Sequence, residues 1–190
     1  HIASNTPNSW YYSKKMLYQT IKKNVESEGF TVLSDGLIMD DINDYRPGVK
    51  ARNEEGVRSL LQEAGLYKSE IRELAKRAGV TNWNKTPSCS LASRFPYGTR
   101  ITPEKVEAVF KAEEYFTKRG FEPVRVRVHQ DLARIEVGAD QIEKLVKNHE
   151  EINKMMQDLG FLFVTVDLQG YKYGRMNDQL DEKTKKAAVE

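Results

Sequence analysis

V-R-V-R-V-H-Q-D-L-A-R-I-E-V, residues 124–137, alternates apolar and polar side chains with a period of two. That period is the signature of strands with one face against a core and the other toward water. Val124–His129 therefore reads as a strand with an apolar and a basic face. Gln130-Asp131 is a turn, and Leu132–Val137 returns as a second strand. Working outward, Thr102-Pro103 supplies an N-cap and a first-turn proline for a helix that reaches Gly120. On the other side, Ile142, Leu145, Val146, His149, Ile152 and Met156 form one stripe of a long amphipathic helix that stops at Gly160. A third strand over 162–168 leads into G-Y-K-Y-G-R, residues 170–175. The order α-β-β-α-β is a split βαβ arrangement, with helices covering one face of a small sheet.

The first half is patterned differently. Thr6-Pro7 opens a helix marked by Trp10, Met16, Leu17, Ile21 and Val25, and Gly29 closes it. F-T-V-L, residues 30–33, reads as a short strand running into Ser34-Asp35-Gly36. An acidic loop, D-D-I-N-D-Y-R-P-G over 40–48, precedes helices over 49–62 and 69–77, the second capped by Ser69. The loop T-P-S-C-S-L-A-S-R-F-P-Y-G, residues 86–98, then joins the two halves.

Composition narrows the function classes. With 190 residues, 39% apolar and 31% charged, the chain suits one globular domain or two small ones. Thirty Lys+Arg against 28 Asp+Glu leave a net charge of +2, which is not the footprint of a protein that grips nucleic acid through its phosphates. A single cysteine cannot close an intrachain disulfide, and the most apolar run, 161–166, is far too short for a bilayer. These features lead to the expectation of a soluble, cytoplasmic protein with no membrane or nucleic-acid partner. The chain begins at His1 instead of Met, as a fragment or a fusion scar would.

Cys89 is the first chemical candidate. A free cysteine is more often a small buried hydrophobe, yet this one sits among Ser88, Ser90 and Ser93, five residues before Arg94. An arginine folded over the loop would favour its thiolate. Arg125 and Arg127 share one strand face about 7 Å apart, a spacing that suits two guanidinium forks on one phosphate or carboxylate. The alternative is cross-strand pairing with Glu136 or another acid on the facing strand. Lys172 and Arg175 lie in the glycine-flanked turn and could join that grip. Asp40, Asp41 and Asp44 offer weak Mg²⁺ ligands. His129 and His149 lack partners at metal-ligand spacing, and the stripe makes His149 a core histidine. Glu113 and Glu114 lie mid-helix, where charge is mostly solvated, and Trp10 and Trp83 read as packing residues.

Five ordered stretches carry a resemblance: S-D-G-x-x-x-D-D-x-x-D-Y-R-P-G (34–48), G-V-R-S-L-L-Q-E-A-G-L-Y-K-S-E-I-R-E-L-A (56–75), S-C-S-L-A-S-R-F-P-Y-G (88–98), V-R-V-R-V-H (124–129) and G-R-M-N-D (174–178). Together they closely resemble the LarE family, ATP-dependent sulfur transferases of the PP-loop ATP pyrophosphatase superfamily. The resemblance implies a step in making the nickel-pincer nucleotide of lactate racemase. A carboxylate of a pyridinium dicarboxylate mononucleotide is adenylated with ATP and Mg²⁺, and a cysteine displaces AMP as a thioester. Its carbon–sulfur bond then breaks, leaving a thiocarboxylate and dehydroalanine. By that likeness Cys89 is the sulfur donor, and Ser93 and Arg94 are the polar residues of its loop. Trp10 and Glu113 fall at positions linked to activity, and Arg125 and Arg127 at the arginines that hold the substrate phosphate. Lys172 stands where the family has a third arginine, keeping charge but losing the fork. Relatives with three cysteines hold an iron–sulfur cluster, whereas the single Cys89 fits the sacrificial type.

The S-G-G-x-D-S loop that cradles pyrophosphate in such enzymes is absent, and the expectation is that it belongs upstream of His1. The fold class expected is thus α/β in two parts. Residues 1–97 would be the remainder of a parallel-sheet PP-loop (HUP-like) ATP domain that includes the Cys loop. Residues 98–190 would be an αββαβ domain carrying the phosphate grip. This stretch alone is expected to be inactive in adenylation, and the likeness favours a homo-oligomer. A tRNA thiolase of the same superfamily and a non-catalytic anion-binding module are the alternatives.

Overall fold

The computed structural model describes residues 2–42 and 44–181. They separate into two compact units: Pro7–Lys85 form the body of one, and Thr86–Gln179, with Ala3–Thr6, the body of the other. The division falls before the Cys loop, not at 97/98. Phe95 explains the difference, because its ring is 1% exposed within the same core as the second-half sheet and helices.

The first unit holds α1 (Ser9–Glu26), α2 (Gly48–Glu54), α3 (Leu60–Glu63) and α4 (Lys68–Arg77). Its small core joins Tyr18, Ala51 and Val57, with Tyr11 and Leu33 packed alongside. Beside it, the Tyr18 and Ser59 hydroxyls donate to the two oxygens of Asp35 at 2.8 and 2.5 Å.

Several expectations fail in this unit. Thr6 does not cap α1, whose N-cap is Asn8 with no side-chain bond. Residues 30–33 form no strand: Phe30 and Val32 stay exposed, and the only extended pairing among the unit's described residues is a parallel bridge between Ser34 and Arg58. A β-branched run without a neighbouring ladder cannot satisfy its backbone as a strand. The helix expected over 49–62 is two helices. Gly56, at φ +62°, ends the first, and the Arg58 amide then leaves to donate to Leu33 O. Ser69 lies inside α4, which begins after Tyr67, whose amide donates to the Glu70 carboxylate at 2.8 Å.

The second unit follows its sequence pattern closely. Its α5 (Pro103–Lys118) starts as read, with Thr102 Oγ1 accepting from the Lys105 amide. Val109, Ala112 and Phe116 make its fully buried stripe. Strands β1 (Val124–His129), β2 (Leu132–Val137) and β3 (Phe163–Val166) form a sheet of that order, β1 antiparallel and β3 parallel to β2. Val124, Val126, Val128, Ala133, Ile135 and Val137 face the helices and are buried.

The single long helix over 142–156 is instead α6 (Ile142–Lys147) and α7 (His149–Asp158). The Asn148 side chain donates to the Lys144 carbonyl at 2.7 Å, and its amide turns to Leu145 O, so the ladder is interrupted there. His149 consequently stands exposed at the start of α7 and is not a core histidine. After β3, Gly170 at φ +72° lies so close to β2 that an added Cβ would meet Val137 O at 2.8 Å. Only glycine allows that approach, which returns the chain across the sheet toward Arg175.

Candidate functional site

Strand alternation builds the site on the sheet face opposite the helices. β1 turns Arg125, Arg127 and His129 outward, and β2 turns Leu132, Arg134 and Glu136 the same way. Glu136 is 0% exposed, and both oxygens are taken. Arg127 Nε and Nη2 donate to Oε2 at 3.0 and 2.9 Å, and Arg134 Nη2 to Oε1 at 3.1 Å. Asp167 extends the row, accepting from Arg175 at 2.6 Å and lying 3.5 Å from Arg134. Burial opposes its ionisation, but the Gln169 amide, Arg175 and Arg134 together hold its carboxyl below the ordinary range.

The Cys loop is fastened to this face at both ends. Arg125 donates to Pro87 O at 2.5 Å and lies 5.1 Å from the Tyr171 ring centre. Arg127 Nη1 donates to Ser93 O at 2.8 Å. A short 3₁₀ turn, Leu91–Arg94, carries Arg94 inward to 4% exposure. There its Nε and Nη2 grip Glu113 of α5 at 2.6 and 2.8 Å, while Nη1 meets Ser93 Oγ at 2.6 Å. Glu113 Oε1 also accepts from the Val126 amide at 2.9 Å, so one carboxylate joins helix, loop and strand. Asn5, at φ +46°, donates to Phe95 O and Pro96 O, each at 3.0 Å. Between these fastenings Ser88, Cys89 and Ser90 remain exposed, and Cys89 is a free thiol.

Beside the loop is a small open cleft of about 20 Å³, lined by Ser93, Arg94, Arg127, His129, Arg134 and Arg175 among others. Four guanidiniums meet three carboxylates, Glu113, Glu136 and Asp167, leaving one positive charge in excess. Such a surface suits a compact oxyanion. Burial first, then Arg134 and Arg127, push the His129 imidazole below its ordinary value, against the pull of Glu136.

The expected residues are thus partly gathered. Arg127 and Arg175 line the cleft; Arg125 is committed to the loop, and Lys172 is exposed outside the lining. Trp10 lies half-buried in α1, in the other unit. Glu114 pairs with Lys118 on the solvated helix face, whereas its neighbour Glu113 turns inward. In the acidic loop Asp41 and Asp44 face Arg46, and Asp40 accepts from the Lys68 amide. No group of three or more His, Cys, Asp or Glu able to hold a metal occurs among the described residues. Arg134, Asp167 and Asn5 were missed. The alternation of β2 already places Arg134 beside Glu136 on the outward face, whereas Asn5 leaves no sequence signal.

These features define an α/β protein that presents a thiol on a fastened loop, with a guanidinium-lined cleft in the same unit. No family model matches the chain. Pyridinium-3,5-bisthiocarboxylic acid mononucleotide synthase of Lactiplantibacillus plantarum is 50% identical over 180 residues, covering 95% of this chain and 65% of that protein. An uncharacterised protein of Synechocystis sp. is 40% identical over 179 residues, 93% of this chain and 67% of its own length. An uncharacterised protein of Methanocaldococcus jannaschii is 31% identical over 171 residues, 90% and 67% respectively. The chain belongs to the LarE family. It spans about two thirds of the length of these relatives. No helix among the described residues is long and apolar enough to cross a membrane.

Proposed function

We propose that this chain is the sulfur-donating part of a cytoplasmic, homo-oligomeric PP-loop sulfur transferase acting on a pyridinium carboxylate mononucleotide activated by ATP with Mg²⁺. The observation that carries the reading is the loop itself, held at Pro87, Ser93, Arg94, Phe95 and Pro96 while Cys89 stays exposed between. A donor thiol must reach an acyl carbon that arrives with the substrate, and a short free span on a fixed frame provides that reach.

The cleft receives the substrate phosphate through Arg127, Arg134 and Arg175. Ser93, which lines the cleft, stands four positions after Cys89, so the two Cα atoms lie at most about 14 Å apart. Cys89 Sγ attacks the activated acyl carbon, AMP leaves, and a thioester forms. Loss of the Cys89 α-proton and cleavage of Cβ–Sγ then release the thiocarboxylate and leave dehydroalanine. Arg94, Glu113 and Arg125 position the loop throughout.

Binding tests the phosphate subsite separately from the chemistry. Arg127→Lys keeps a cation beside Glu136 but loses the fork, and Arg175→Ala leaves Asp167 paired with Arg134. Calorimetry with pyridinium-3,5-dicarboxylate mononucleotide should show each weakening binding, by about 1.5–3 kcal/mol for a lost charged hydrogen bond. Unchanged affinity in both variants would remove the cleft from the substrate site.

A further inference from the structure

We infer that His129 is an anion ligand of the Arg127–Arg134–Arg175 cleft, gripping a bound phosphoryl or sulfate group when its imidazole carries a proton. The inference rests on the reading of that cleft as the phosphate subsite. His129 ends β1 and lines the cleft, yet its Nε2 is shut off from water and has no hydrogen-bond partner. Across the sheet, the Nε of Arg134 makes no hydrogen bond either, with the Asp167 carboxylate at 3.5 Å as its ion-pair partner. The cleft guanidiniums direct their hydrogen bonds to Glu113, Glu136, Asp167 or the Cys loop. A buried nitrogen left unpaired costs free energy, and His129 lines a cleft whose guanidiniums outnumber the carboxylates paired with them by one.

The charges facing His129 set the direction of the effect. Arg127 shares its strand, Arg134 and Glu136 stand on β2, Arg94 comes from the 3₁₀ turn, and Arg175, paired with Asp167, from the segment after β3. With the cleft empty, burial and the guanidiniums disfavour the proton, so the imidazole is neutral at neutral pH. A doubly charged oxyanion reverses that field and supplies the acceptor that Nε2 lacks. Binding then takes up a proton, and affinity rises as pH falls through the imidazole range. The sign is opposite to that of a site built from arginines alone, whose charge does not change over that range.

Sulfate is the appropriate probe, because it stays doubly charged across these pH values and any titration belongs to the protein. The full chain should bind sulfate about five- to tenfold more tightly at pH 5.8 than at pH 7.8, a change of up to one pKa unit's worth of linkage. His129→Gln, which keeps a hydrogen-bonding amide but cannot gain charge, should bind with the same affinity at both pH values. By NMR, the imidazole resonance missing from His129→Gln should titrate at higher pH when sulfate is present. A pH dependence that persists in His129→Gln would overturn the inference. So would flat wild-type binding that Arg175→Ala still weakens, although the phosphate subsite would then survive. Absence of sulfate binding at both pH values would overturn the two together.

Discussion

Glu113→Ala should cost about 3 kcal/mol of stability, the lower end of the range for stripping one partner from a buried ion pair. Arg94 is 4% exposed and would be left with Ser93 Oγ alone, while the Val126 amide would lose its acceptor. The 14% exposure of the Glu113 side chain gives water some access, which sets the value at the lower end. Urea unfolding of the full chain measures it, and Glu113→Gln should fall between the two because its amide oxygen can still meet one donor. The amides of residues 91–95 should also exchange faster with solvent, since the turn loses its anchor to α5. A loss below about 1 kcal/mol, in the range of exposed pairs, would mean that the Arg94–Glu113 contact does not hold the loop.

The legibility of the fold follows where the chain's partners lie. Thr102, the alternation of residues 124–137 and Gly120 act locally, so α5, β1 and β2 stand where their residues alone place them. Residues 30–33 carry the same β-branched signal and form no strand, because a ladder needs a neighbour and among the described residues only Arg58 bridges there. The break at Asn148 comes from one side-chain amide competing for a helix carbonyl, a geometry that periodicity cannot register. The site divides in the same way. Cys89 and Arg127 were legible as chemistry, and the pairing of Arg127 with Glu136, raised as the structural alternative, is present as well. A guanidinium has donors enough for Glu136, Ser93 O and a cleft-facing role together, so the two readings do not compete. Arg125 is the clearer departure: it shares a strand face with Arg127, but its fork goes to backbone carbonyls and Tyr171. Strand spacing fixes which way a side chain leaves the sheet, and the far-off loop fixes what it meets.

Cys89→Ser should abolish sulfur transfer completely while leaving the fold within about 0.5 kcal/mol, since the position is exposed and its thiol is in no disulfide. Acyl activation comes before thiol attack in the proposed sequence, so in an enzyme that also carries the pyrophosphate-binding loop the variant should still release pyrophosphate from ATP in a substrate-dependent manner. A cysteine that only assisted another sulfur source would instead leave slow transfer behind. In this chain no second thiol can restore Cys89 through a disulfide or persulfide, because it is the sole cysteine of the sequence.

The most direct measurement is the mass of the protein after reaction. The full-length protein that contains this chain, incubated with ATP, Mg²⁺ and the pyridinium carboxylate mononucleotide but no added sulfur source, should stop at about one thiocarboxylate per chain or fewer. Its intact mass should then fall by that of hydrogen sulfide, with dehydroalanine mapped to position 89. Sustained turnover with an unchanged mass and an intact Cys89 would contradict the account.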